Sequence, residues 1–235
     1  MRRHGPFLRW GRGLACAVAG LALTTAARAQ FGASVALDSD YRYRGVSLSD
    51  SKPSLRLTLN YDAAERWYAG ASATRATLTS RDSYLQTLGY AGWATQPVDG
   101  RSFEVGVDAS HFVGIAGYDF AEAYAGLLAE RWSARLYYAP NYYGRHVQVI
   151  YSEFNAHLPF DRGARLFAHV GALLPLGGGP GDGGTSRVDI SAGAGLVLGQ
   201  WDLHLAAVAA ARRGPYPAVY SGRRTAIVAG ASYSF

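Results

Sequence analysis

The 235-residue sequence is poor in cysteine, methionine and lysine, with a single copy of each. One cysteine cannot build a disulfide framework, and it cannot form the cysteine clusters of structural zinc sites. Long apolar runs are also lacking. After residue 29 the longest run spans 205–211, far below the roughly 20 residues that a membrane-spanning helix needs. These absences exclude a polytopic helical membrane protein and a disulfide-built domain.

The first 29 residues have the three parts of a secretory signal peptide. Four arginines form a basic start: Arg2, Arg3, Arg9 and Arg12. Residues 14–23 form the apolar segment, and Ala27 and Ala29 supply the small residues before a cleavage point at Gln30. We therefore predict a signal peptide over 1–29 and an exported domain over 30–235. A short N-terminal anchor helix is the alternative interpretation.

Removal of the predicted signal peptide lowers the net charge of the chain. The peptide carries five arginines and no acid, so the net charge falls from +6 to +1. The sequence pI of about 9.5 therefore mostly describes the signal peptide, and it gives little reason to expect a nucleic-acid partner. The exported domain contains neither cysteine nor methionine, which is compatible with an oxidising envelope compartment.

The exported domain alternates apolar and polar residues. From Phe31 the odd positions are mostly apolar or aromatic, whereas the even positions are small or charged up to Arg44. A period of two is typical of a β-strand with two different faces. The pattern predicts twelve strands, near residues 31–44, 54–62, 67–75, 83–95, 102–110, 119–129, 132–140, 146–157, 164–174, 187–198, 201–211 and 224–235.

The polar faces of these strands are unlike those of a soluble sandwich, which would be rich in lysine and glutamate. They carry small residues and isolated charges of both signs, namely Asp38, Asp40, Arg42, Arg44, Arg56, Glu104, Asp108, Glu122, Arg135, Glu153, Arg165 and Asp189. A closed barrel in lipid explains this, with apolar faces outward and charges toward a polar lumen. We predict an all-β fold, a transmembrane antiparallel up-and-down β-barrel of about twelve strands.

Aromatic residues near the strand ends fit the same barrel, because a bilayer interface holds aromatic rings. They are Tyr41, Tyr43, Tyr61, Trp67, Trp132, Trp201 and Tyr233. The last segment alternates up to Tyr233 and Phe235 and resembles the terminal strand that the barrel-assembly machinery of outer-membrane proteins recognises. An even strand number places both termini in the periplasm. Longer outward connections are then expected at 176–186 and 212–222, with tight turns at 130–131 and 199–200.

The segment 38–50, DSDYRYRGVSLSD, with Pro53 after it, resembles the N-terminal signature of a proteobacterial family of porin-like proteins, the Gcw_chp or TorF-type proteins. The resemblance extends more loosely through 122–126 and 137–143 to the last strand. It implies a barrel in the outer membrane of a Gram-negative bacterium, with a role in transport. It brings no catalytic residue and no cofactor.

A charge cluster follows from the opening motif. On a single strand, Asp38, Asp40, Arg42 and Arg44 would share one face about 6–7 Å apart, and Arg56 of the next strand could join them. Two interpretations stay open. The cluster either satisfies charges inside a closed barrel or forms a constriction that selects solutes.

The sequence contains no G-x-S-x-G or H-E-x-x-H motif and no close spacing typical of a metal site, so we predict neither catalytic nor metal-binding residues. We predict a porin through which small polar solutes diffuse passively, of unknown oligomeric state. The alternative is a closed structural or surface-binding barrel that acts through loops at 142–143, 176–186 and 212–222. An enzyme acting on lipid or peptide comes third.

Overall fold

The computed structural model describes residues 30–77, 82–177, 186–211 and 224–235. The predicted signal peptide lies outside the described residues, as does most of the two connections predicted at 176–186 and 212–222. Among the described residues, no helix is both long and apolar enough to cross a membrane.

Twelve long strands form one closed antiparallel barrel, as the alternation predicts. They are β1 (Gln30–Asp38), β4 (Ser54–Asp62), β5 (Trp67–Thr77), β6 (Ser83–Ala94), β7 (Arg101–Val113), β8 (Phe120–Ala129), β9 (Trp132–Ala139), β10 (Val149–Pro159), β11 (Ala164–Pro175), β12 (Arg187–Leu198), β13 (Trp201–Ala210) and β14 (Thr225–Ser234). Each strand pairs with its neighbours in the chain, and β1 closes the ring by pairing with β14. Two further strands, β2 (Arg42–Tyr43) and β3 (Val46–Ser47), form a separate small hairpin.

Side-chain burial follows the parity of each barrel strand. On β4, Leu55, Leu57 and Leu59 are more than half exposed, whereas Ser54 and Arg56 are buried. The same arrangement recurs around the ring, so the outer surface is a continuous apolar belt and the buried polar side chains face the lumen. A patch of this extent is typical of a surface that contacts lipid.

The ends of the barrel differ. Short turns join β8 to β9 at 130–131 and β12 to β13 at 199–200, as predicted, and they lie at the end that carries Gln30 and Phe235. We call this the turn end, and the opposite one the loop end. Outward aromatic rings cluster at the turn end, where Phe31 packs on Tyr61 at 4.7 Å between ring centroids and Trp201 packs on Tyr233 at 5.1 Å.

Two of the predicted interface aromatics are placed differently. Tyr41 and Tyr43 are each only 5% exposed and lie inside the barrel. The reason is that the first predicted strand, 31–44, is too long: β1 ends at Asp38, and the chain then turns into the lumen. Positive φ angles at Arg44 (48°) and Gly45 (75°) are incompatible with a continuing strand.

The outward parity of β7 gives a direct test. Val107 lies at the middle of this strand and Val113 at its loop end, and both are exposed on the outer face. We expect Val107→Arg to lower the free energy of unfolding by about 2–4 kcal/mol, because the charge would sit at the bilayer midplane. The measurement is reversible denaturant unfolding in lipid vesicles. Val113→Arg is the matched control and should cost about 0–1 kcal/mol. Equal costs at the two depths would contradict the membrane placement.

Candidate functional site

The connection between β1 and β4, residues 39–53, folds into the lumen, and we call it the inner loop. Its hairpin pairs Arg42 with Ser47 and Tyr43 with Val46. Its apolar side chains, including Leu48, are buried against the barrel wall. The backbone N–H of Thr77 on β5 donates to the carbonyl of Leu48 at 2.6 Å, which ties the loop to the wall.

Asp40 organises the base of the inner loop. Its carboxylate accepts hydrogen bonds from Arg42 Nε at 2.7 Å, Ser47 Oγ at 2.5 Å and Ser49 Oγ at 3.1 Å. The hydroxyl of Ser49 in turn accepts from the backbone N–H of Tyr41 at 2.9 Å. One buried carboxylate therefore joins both strands of the hairpin, and its charge is balanced by Arg42.

The tip of the hairpin packs against the barrel wall at β12 and β13. Arg44 and Gly45 both have positive φ, which is the geometry of a two-residue type I′ turn. A Cβ atom on Gly45 would lie 2.6 Å from Cβ of Asp189 on β12 and 2.9 Å from Cβ of Ala210 on β13. Only glycine fits between the turn and this part of the wall.

Arg44 makes the main contact across the lumen. Its Nη1 and Nη2 donate to the two carboxylate oxygens of Glu122 on β8, at 3.0 and 2.5 Å. Four tyrosine rings surround its guanidinium, with Cζ 4.9 Å from the ring centroid of Tyr43, 5.2 Å from Tyr137, 5.5 Å from Tyr142 and 4.0 Å from Tyr151. Although burial alone would lower the pKa of Arg44, the charge of Glu122 raises it well above its usual value, so the guanidinium stays charged.

Other lumen charges are paired along the wall. Arg56 on β4 donates to Asp38 on β1 at 3.1 Å, and Arg165 on β11 donates to Asp202 on β13 at 2.8 Å. Arg135 on β9 bonds to Glu104 on β7. Pairing of this kind offsets part of the cost of removing charges from bulk water.

A cavity of about 130 Å³ lies between the inner loop and the wall. This volume has room for several water molecules or for one small polar solute. Tyr90, Tyr124, Asp108 and His169 are among its lining residues. One carboxylate oxygen of Asp108 is buried without a hydrogen-bond partner among the described residues.

All five residues of the predicted charge cluster are buried, but β1 ends at Asp38, so the predicted arrangement of four charges on one strand is wrong. Asp38 and Arg56 pair on the wall, Asp40 and Arg42 pair within the inner loop, and Arg44 pairs across the barrel. Alternation does not distinguish a strand from this loop, because the tyrosines between these charges also turn inward. Whether the cluster sets solute selectivity stays a prediction.

Sequence reasoning missed the tyrosine cage around Arg44 and the pairing of Arg44 with Glu122. The two-residue spacing of tyrosines and charges along the strands indicates part of this arrangement. Tyr137 lies two residues from Arg135, and Tyr151 lies two residues from Glu153, so each tyrosine shares the lumen face of a charged residue. The same parity links Tyr124 to Glu122.

The residues predicted as an assembly signal lie at the seam of the barrel. Tyr233 pairs with Val35 of β1 and Trp201 of β13, and its ring packs against that of Phe235 at 5.1 Å. The backbone N–H of Phe235 donates to the carbonyl of Ala33 at 2.9 Å. The last strand therefore completes the closure, while its recognition by assembly machinery stays a prediction.

A family model described as "Bacterial protein of unknown function (Gcw_chp)" matches residues 22–174. Among solved structures, the KdgM porin is 12% identical with a TM-score of 0.55, over 87% of this chain and 99% of that one. The KdgM porin in complex with disordered oligogalacturonate is 10% identical with a TM-score of 0.56, over the same shares. A structure from a study of the in-meso crystallization of membrane proteins is 9% identical with a TM-score of 0.54, over 87% and 83%.

No curated protein matches the sequence. At identities this low, the structural likeness establishes the fold, a closed barrel like that of the KdgM porin, and it establishes neither a role nor a substrate. The predicted fold class and the resemblance drawn from the opening motif are both confirmed.

Substitution at the hairpin tip tests the position of the inner loop. We expect Gly45→Ala to displace the hairpin, because the new Cβ would overlap Asp189. The left-handed backbone at this position also costs a residue with a Cβ about 1–2 kcal/mol. The measurement is tryptic cleavage after Arg42 and Arg44, which are buried in the folded barrel. Gly100→Ala is the matched control, since Gly100 has φ +72° and open space around its Cβ position. Equal protection of both variants would contradict the contact.

Proposed function

The chain belongs to the Gcw_chp family, and from this membership and its barrel we propose that it is a porin in the outer membrane of a Gram-negative bacterium. Small polar solutes diffuse passively through its lumen, and the inner loop narrows the path. The predicted signal peptide, 1–29, exports the chain, and the terminal strand with Tyr233 and Phe235 directs its assembly into the membrane.

The observation that carries this proposal is the polarity of the lumen. A barrel that serves only as a scaffold for its loops can fill its interior with apolar side chains. Here the interior holds ion pairs, such as Arg56 with Asp38 and Arg165 with Asp202, and a cavity that Arg56 helps to line. Desolvation makes buried pairs of this kind costly relative to apolar packing. Contact between polar solutes and the lumen wall explains why these ion pairs are present.

The size of the cavity supports small solutes over polymers. About 130 Å³ accommodates a small molecule, whereas oligogalacturonate, which is named with one of the similar porins, is a chain of sugar acids. Arg44 lines this cavity where the loop crosses the lumen, so its charge is placed to act on a passing solute. We propose a channel without enzymatic activity. In support, His169 lines the cavity and both of its ring nitrogens are engaged, one by Asn155 at 2.7 Å and the other by Asp189 at 2.9 Å. Neither nitrogen is therefore free to act as a general base.

Single-channel conductance in planar bilayers tests the porin function. We expect the refolded barrel to conduct, and we expect replacement of residues 40–51 by a short Gly-Ser turn to raise the conductance several-fold, since this segment occupies the lumen. Measurements at two salt concentrations separate a change in width from a change in charge selectivity, because salt screens charges.

The control for this experiment keeps the inner loop in place. Asp50→Asn with Lys52→Gln removes an ion pair at the exposed rim of the same loop, and this variant should conduct like the original chain. If both the original barrel and the loop-shortened barrel are folded and silent, the porin function is wrong, and the closed surface-binding barrel takes its place.

A further inference from the structure

The cage around Arg44 is built mainly by the barrel wall. Glu122, Tyr137 and Tyr151 lie on three consecutive strands, β8, β9 and β10, and the two tyrosines are direct cross-strand partners. Tyr142, from the connection between β9 and β10, adds a third ring from outside the inner loop. Of the groups around the guanidinium, Tyr43 is the one that arrives with the inner loop.

The wall rings are held in place by bonds that do not involve Arg44. The hydroxyl of Tyr137 donates to Glu153 at 3.2 Å. The hydroxyl of Tyr151 lies 3.3 Å from both carboxylate oxygens of Asp189 and 3.2 Å from Nε2 of His169. A site whose walls are fixed in this way is preorganised, and it keeps its shape when its occupant leaves.

Arg44 itself occupies an unfavourable backbone position. It is the first central residue of a type I′ turn, with φ at 48°, where asparagine and glycine are strongly preferred. Local turn chemistry therefore does not explain an arginine there. The contacts that favour it are those of its guanidinium with the cage.

The cage matches one chemical group. Two parallel N–H···O bonds to one carboxylate require the planar fork of a guanidinium, and an ammonium ion cannot reproduce them. The tyrosine faces add attraction for a delocalised cation. We propose that Glu122, Tyr137, Tyr142 and Tyr151 form a guanidinium-binding site in the lumen, and that Arg44 occupies it as a tethered ligand.

The proposal has a consequence for transport, and this consequence rests on the proposed porin function. A solute that carries a guanidinium group competes with Arg44 for the same site. Its binding releases the tip of the hairpin from the cage and widens the path. The substrate class favoured by the channel is therefore small guanidinium-bearing cations.

Chemical rescue tests the site. Arg44→Asn vacates the cage and suits the turn, since asparagine tolerates the left-handed backbone. We expect methylguanidinium to raise the thermal midpoint of the refolded variant in detergent, with half-saturation on the order of 1–10 mM. The conductance of the variant should stay raised, because a free ligand fills the cage without tethering the hairpin. Methylammonium at the same ionic strength should leave the thermal midpoint unchanged, because it lacks the fork.

Two control variants complete the experiment. Arg66→Asn removes an exposed arginine with φ at 69°, and this variant should show no response to methylguanidinium. Arg44→Asn combined with Glu122→Gln removes the carboxylate and should abolish the rescue. If folded Arg44→Asn protein shows no methylguanidinium effect, or responds equally to methylammonium, the site is wrong. Stabilisation without any conductance supports the site and overturns the porin function.

Discussion

Closure of the backbone hydrogen bonds between β1 and β14 is the constraint on which the rest of the structure depends. In lipid no water is present to satisfy an open sheet edge, so a membrane-spanning sheet must close on itself. Once it closes, every second residue faces the bilayer and the others face the lumen. The register that pairs Val35 with Tyr233 therefore also decides which charges lie inside.

The lumen follows from this division. Charges on its wall are partly removed from bulk water, so each needs a partner close by. Asp38 pairs with Arg56 of the neighbouring strand, whereas Glu122 pairs with Arg44 of the inner loop. The loop folds inward because its own charges and tyrosines find partners there. An extended position in water would leave Tyr41, Tyr43 and Leu48 without the burial that the lumen gives them.

The barrel could be predicted from the sequence because its information is local. A strand such as β12 shows its outward face through Val188 and Ile190, and the structure exposes both. The site could not be predicted in the same way, since Arg44 and Glu122 are 78 positions apart and meet only after closure. Parity also failed to separate a strand from a lumen-filling loop, because alternation continues through Tyr41 and Tyr43. The glycine at 45 after an arginine is the local sign of a turn there.

The wall tyrosines show how a Tyr-rich lumen retains a cavity. Each of four lies over a glycine on the adjacent strand, where a Cβ would overlap the ring: Tyr68 over Gly92, Tyr90 over Gly70, Tyr124 over Gly106 and Tyr151 over Gly171. A ring that lies flat against the wall takes little of the central space. The ring of Tyr43 instead crosses from the inner loop to β8, where its hydroxyl donates to Glu122 at 3.3 Å. The wall is therefore the fixed part of the lumen, and the space left at its centre depends on the inner loop and on the contact that Arg44 makes.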